Sequence, residues 1–134
     1  MPRVVLDTNV ISDVVGPTRN SAVLNQIAAH RQDTLCLCEA VDYEVRRGYL
    51  KTGAAAKLRV YEERIRPQFQ WVMIVEADWQ QAAQFWADAV NKGKQLSDVD
   101  LLVAAVAARL GGVVVSADGD FDALPVRRNI WRSL

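Results

Sequence analysis

Apolar residues along this chain fall into two patterns. Short unbroken runs at Val4–Leu6, Leu35–Cys38, Trp71–Val75 and Val113–Ser116 read as strands covered on both faces, as parallel strands are. Between them, three-and-four spacing marks helices: Val10, Ile11 and Val14; Val23, Leu24, Ile27 and Ala28 behind a cap at Asn20 or Ser21; Trp79, Ala82, Ala83, Trp86 and Val90. Further helices are predicted over about 39–50 and 54–65. Ser97 opens one that runs to Arg109, and its body, LLVAAVAA, is apolar all round and therefore buried. Gly16 with Pro17, Thr52 with Gly53, Pro67, Lys92 with Gly93, and Gly111 with Gly112 supply the breaks. Strands alternating with helices predict an α/β fold on a parallel sheet. The 134 residues suit one domain, 1–134, without repeats or linker.

Composition narrows the chemistry. Half of the chain is hydrophobic (51%), enough for a core, yet no run reaches the ~18 residues that a membrane span needs. No leader pattern opens the chain, so a cytoplasmic protein is expected. Cys36 and Cys38, two apart in a strand, share one face and read as core. His30 is the only histidine, which leaves no zinc set and no pair of imidazoles for acid–base work. Chemistry here must rest on carboxylates. Sixteen bases balance sixteen acids, which excludes a uniformly basic nucleic-acid binder. Local bias remains: seven bases lie between Arg46 and Arg66 against Glu62 and Glu63, and Arg127, Arg128 and Arg132 close the chain.

Acids recur where the pattern ends strands or starts helices. Asp7 follows the first strand, at the carboxyl edge where α/β sheets place their sites; it could equally cap the next helix. Glu44 lies on a helix among Ala40, Val41 and Gly48, with Arg47 one turn on as a plausible ion-pair partner. Asp98 and Asp100 open the apolar helix, where Ser97 and Asp100 have capping-box spacing. A cap and a ligand are compatible there, because a buried helix holds its N-terminus rigidly. Asp118, Asp120 and Asp122 follow the last apolar strand. An EF-hand is excluded, since Ala123 stands at the glycine position and Asn129 at the glutamate position; an Asp-Gly turn is the plain alternative. Two buried strands each ending in an acid are a stronger signal than either alone.

In order and spacing, VVLDTNVIS, YEVRRG, SDVDLLVAA and VVVSADGDF resemble the PIN-domain ribonucleases, closely the VapC-type toxins of toxin–antitoxin pairs, over nearly the whole chain. The resemblance implies a three-layer α/β/α PIN-like domain with a central parallel sheet. It further implies a divalent-metal quartet mapping onto Asp7, Glu44, Asp100 and Asp118, with Asp98 and Asp120 as alternates and Thr8, Asn9 and Ser116 beside the site. One or two Mg²⁺ or Mn²⁺ ions suit oxygen ligands and phosphodiester hydrolysis by an activated water. RNA would be the substrate, with Arg46, Arg47 and the C-terminal arginines as phosphate contacts. A homodimer and a cognate antitoxin would be the partners. The antitoxin would dock near the helix carrying Leu58, Tyr61 and Ile65, unless those residues are core. Two rivals are a catalytically silent PIN-like binding module and an Asp-based phosphoryl-transfer domain. The second lacks a companion acid, since Asn9 stands two residues after Asp7, and Ser116 and Ala117 offer no lysine at the late strand end.

Overall fold

A computed structural model of the chain describes residues 3–16, 20–31 and 34–131. Five strands form one parallel sheet: β1 (Val4–Leu6), β2 (Leu35–Cys38), β3 (Gln70–Val72), β4 (Val113–Val115) and β5 (Arg127–Asn129), in the order β3-β2-β1-β4-β5. Helices α1 (Thr8–Val15), α2 (Ser21–Ala29), α3 (Glu39–Lys51), α4 (Ala55–Val60), α5 (Glu76–Asn91) and α6 (Asp98–Leu110) flank the sheet, giving the three-layer α/β/α arrangement. Every residue of β1, β2 and β4 is buried, which is why these strands read as unbroken apolar runs. Cys36 and Cys38 are free thiols in that core.

The topology decides where a site can lie. From β1 the chain proceeds to β2 on one side, whereas β4 joins β1 on the other, in register Leu6↔Val115. At such a switch point the connections diverge and a crevice opens beyond the strand ends. Asp7 and Ser116 are the next residues out.

Local chemistry explains the elements around this crevice. Asn20 caps α2, its Oδ1 accepting from the N–H groups of Ala22 and Val23 at 3.1 and 3.2 Å. Ser97 caps α6 by accepting from the Asp100 N–H at 3.1 Å. Residues 101–107 of α6 are all buried, with each Val or Leu contributing ~1.5–3 kcal/mol. Gly111 ends that helix in the left-handed region, φ 63°. A Cβ at Gly112 would run into the Arg3 carbonyl. No helix among the described residues is long and apolar enough to cross a membrane.

Three differences from the sequence pattern have physical causes. β5 is an edge strand of sequence RRN, exposed at both ends, and an edge needs no apolar run. The strand expected at 71–75 starts one residue earlier and stops at Val72, where pairing with Cys38 ends. The helix expected over 54–65 is α4 followed by a π-helical turn, Tyr61–Ile65, and a 3-10 turn, Arg66–Gln68, that takes in Pro67. Pro67 is tolerated there because a first-turn N–H has no helical partner to lose. This segment also corrects the docking surface expected there. Tyr61 and Ile65 are buried core and Leu58 packs against them, with the Tyr61 hydroxyl donating to Asp42 Oδ1 at 2.6 Å. Pro17 and Arg132 lie outside the described residues.

Candidate active site

Asp7 leaves β1 with its N–H on the Val115 carbonyl at 3.0 Å. It occupies the N-cap position of α1, yet its side chain makes no cap bond, so the capping alternative does not account for it. Instead Oδ2 accepts from Ser116 Oγ at 2.8 Å and from Asn9 Nδ2 at 3.2 Å. Asn9 Nδ2 also reaches Ser116 Oγ at 2.9 Å, while Asn9 Oδ1 accepts from the Ala117 N–H at 3.2 Å. The Asp118 N–H donates to Ser116 Oγ at 2.9 Å. Asn9 and Ser116 thus tie the ends of β1 and β4 together and hold the Asp7 carboxylate at their junction.

One oxygen of that carboxylate is left over. Asp7 Oδ1 and the neighbouring Thr8 Oγ1 are both buried without a hydrogen-bond partner among the described residues. A buried unsatisfied polar group costs about 1–3 kcal/mol, more when charged, and Asp7 is only 4% exposed. Burial raises its pKa, the Ser116 hydroxyl and, more weakly, the Thr8 N–H oppose that rise, and the charges of Glu44 and Asp118 add to it.

The other three acids arrive from separate elements. Asp100 stands in the first turn of α6, Glu44 is half-buried on α3, and Asp118 follows β4, its carboxylate accepting from the Asp120 N–H at 2.9 Å. Asp100 is pushed up to about 7, first by burial and then by the charges of Asp7, Asp118 and Glu44. The structure therefore brings Asp7, Glu44, Asp100 and Asp118 within electrostatic reach of one another. The two alternates lie differently. Asp98 is exposed beside a groove shared with Trp79 and Leu102, and the Asp120 side chain is exposed.

Four carboxylates from four separate parts of the fold form an all-oxygen donor set suited to a hard divalent cation. Among the described residues no three acidic, histidine or cysteine side chains stand close enough together to hold an ion between them. Their charges nevertheless act on one another and raise the pKa of both Asp7 and Asp100. The unpartnered Asp7 Oδ1, on a buried carboxylate among other acids, is the observation that fits a cation.

The basic residues near the crevice are engaged. Arg47 pairs with Glu44 at 3.3 Å and lies over the Tyr43 ring. Arg46 is held by Asp42 at 2.9 Å and Glu62 at 3.2 Å. Arg128 turns its guanidinium to Asp122 and the Ser116 carbonyl. Asp42, passed over in the sequence in favour of Glu44, is a structural hub for Arg46, Tyr61 and Arg66; its four-residue spacing to Arg46 was the available signal. His30 stacks near Trp131 and sits over the Gln26 carbonyl.

Residues 4–126 match the family model of the PIN domain. A comparison with curated protein sequences returned no significant match. Among solved structures, the fold is similar to FitAcB from Neisseria gonorrhoeae, at 26% identity and a TM-score of 0.81, over 93% of this chain and 95% of that one. It is also similar to DNA-bound VapBC from Salmonella typhimurium, at 21% identity and a TM-score of 0.85, over 98% and 99%. A third is VapC20 from Mycobacterium tuberculosis, a sarcin–ricin loop cleaving toxin, at 17% identity and a TM-score of 0.72, over 92% and 95%.

Proposed function

The chain belongs to the PIN-domain family, and from that premise we propose that it is a single-domain, divalent-metal-dependent endoribonuclease, the toxin of a VapC-type toxin–antitoxin pair. The observation that carries this reading is the buried Asp7 Oδ1 without a partner, on a carboxylate whose charge is coupled to Glu44, Asp100 and Asp118. Asp7, Glu44, Asp100 and Asp118 would hold Mg²⁺ or Mn²⁺. When bound, such an ion acidifies a water and offsets charge on the phosphoryl oxygens. The chain's own part is placement. Ser116 and Asn9 fix one Asp7 oxygen and leave the other for coordination, while the rigid α6 fixes Asp100. Arg47, half exposed at the rim beside Glu44, is the better-placed phosphate contact; Arg46 is occupied by two acids.

Cleavage of a panel of structured RNAs by the purified chain with Mg²⁺ or Mn²⁺ tests the reading. Cuts leaving 5′-phosphate and 3′-hydroxyl ends, and stopping with EDTA, are expected. Neither cleavage nor metal binding would sink it in favour of a silent binding module.

Metal binding must also respond to pH. With Asp100 near 7 in the fold against 3.8 ordinarily, the metal-free fold keeps a proton that the unfolded chain has lost, so this group's contribution to stability falls as pH rises from about 4 to about 7. A cation must displace that proton below pH 7 and need not above it. Mn²⁺ is therefore expected to raise the melting temperature more at pH 8 than at pH 6, as scanning fluorimetry would show; equal shifts would contradict the assignment of Asp100.

For partners, FitAB and VapBC are named as two-component assemblies, which supports a cognate antitoxin here. A homodimer is supported by Trp79 and Trp86, 59% and 54% exposed on one stripe of α5, in a chain whose zero net charge sets up no self-repulsion. Trp86→Glu is expected to convert a dimer to a monomer in sedimentation velocity; an unchanged dimer would place the interface elsewhere.

A further inference from the structure

Asp118 leads from β4 into a short 3-10 turn, Gly119–Ala123, and this β4–β5 connection is pinned from outside the acidic group. Arg128, on β5 and only 13% exposed in its side chain, donates from Nη1 to the Ser116 carbonyl at 3.1 Å. Its Nε and Nη2 grip both Asp122 oxygens, each at 2.9 Å. These contacts bracket residues 116–122 at both ends, while the Ser116 N–H sits on the Asn129 carbonyl at 3.1 Å. A planar fork with fixed donor directions is what a bidentate clamp needs, and a lysine cannot reproduce it. The clamp also explains why a charged triplet forms a strand at all: β5 pairs with β4 and delivers this guanidinium inward beneath the loop.

Resting on the proposed metal-dependent reading, we infer that Arg128 is a positioning residue for the acidic centre, and that its fork across Ser116 and Asp122 holds the loop in the one arrangement that presents Asp118 to Asp7 and Asp100. It acts through geometry and touches neither substrate nor cation. This role separates from charge by sign. A guanidinium near the carboxylates opposes cation binding electrostatically, so removing it for charge reasons alone would tighten binding, whereas losing the clamp weakens it.

Calorimetric titration of the full chain with Mn²⁺ decides the matter, with melting temperature measured alongside. Arg128→Lys keeps the charge and loses the fork. Asp122→Asn leaves Arg128 in place and removes its bidentate partner at a side chain that is 61% exposed; because it also removes a negative charge, it is read beside Arg128→Lys, which leaves the charge unchanged. Arg128→Gln removes both charge and fork. All three are expected to bind Mn²⁺ more weakly, by about 10- to 100-fold, the usual effect of losing an outer support of a metal site. Arg128→Lys and Asp122→Asn binding Mn²⁺ like the wild type, or Arg128→Gln binding more tightly, would overturn the inference and leave the proposed function standing. A wild type that binds no Mn²⁺ would overturn both.

Discussion

Replacing Asp7 with asparagine is expected to reduce RNA cleavage by more than about 100-fold, since even an outer-shell change at a metal site reaches that loss, while leaving the melting temperature of the metal-free protein within a few degrees of wild type. Two opposing effects produce the second half of this result. The substitution removes a carboxylate whose burial and acidic neighbours raise its pKa, which relieves the charged fold at neutral pH. Against that, an asparagine that keeps its oxygen on Ser116 and Asn9 places an amide where Oδ1 stood, in a pocket offering no partner among the described residues. The stabilisation that Mn²⁺ confers on the wild type by binding only the folded state should vanish in the variant. Thermal melts with and without Mn²⁺, alongside cleavage assays, check both halves. Retained cleavage would show that Asp7 is not at the centre; a collapsed fold would show that its hydrogen bonds outweigh its charge.

Asp7 also shows why part of this protein was legible before any coordinates. Its address is written in the apolar run that precedes it, because a strand buried on both faces must end at a crevice. The same argument drew attention to the acids behind Val113–Val115 and at the start of the largely apolar α6, but the choice of Asp100 and Asp118 over Asp98 and Asp120, and of Glu44, rests on the family resemblance. Sheet and helices follow from burial, and burial is what hydrophobic periodicity records. The parts that did not show are held by polar contacts between distant elements. β5 has no apolar signal. The 3-10 path through Pro67, the fork of Arg128 on Asp122, and the hub of Asp42 with Arg46, Tyr61 and Arg66 depend on side chains that read individually as surface charge. Leu58, Tyr61 and Ile65 stayed open between docking surface and core, because an amphipathic stripe looks the same whether it faces a partner or the core; Tyr61 and Ile65 are core, with Leu58 partly buried against it.

Asp78 is the extreme case of a residue that sequence spacing does not single out, and it carries the largest stability effect expected. It is 1% exposed, its Oδ2 accepts from the Val75 N–H at 3.0 Å, and Arg109 grips both its oxygens at 2.8 and 3.1 Å while reaching the Met73 carbonyl at 3.1 Å. The pair fastens the start of α5 to the last turn of α6, so it fixes the axis along which Asp100 is presented at the other end of α6. The two halves are unequal. Removing Asp78 strands a guanidinium that is 32% exposed and can turn to water. Removing Arg109 strands a carboxylate with almost no access to solvent. Arg109→Ala should therefore cost up to about 3–5 kcal/mol, the range for breaking a buried pair, and Asp78→Asn, which keeps an acceptor for Val75, about 1–2 kcal/mol. Urea denaturation of both variants measures this. Equal costs would mean that the pair acts as packing rather than as a charge lock between α5 and α6.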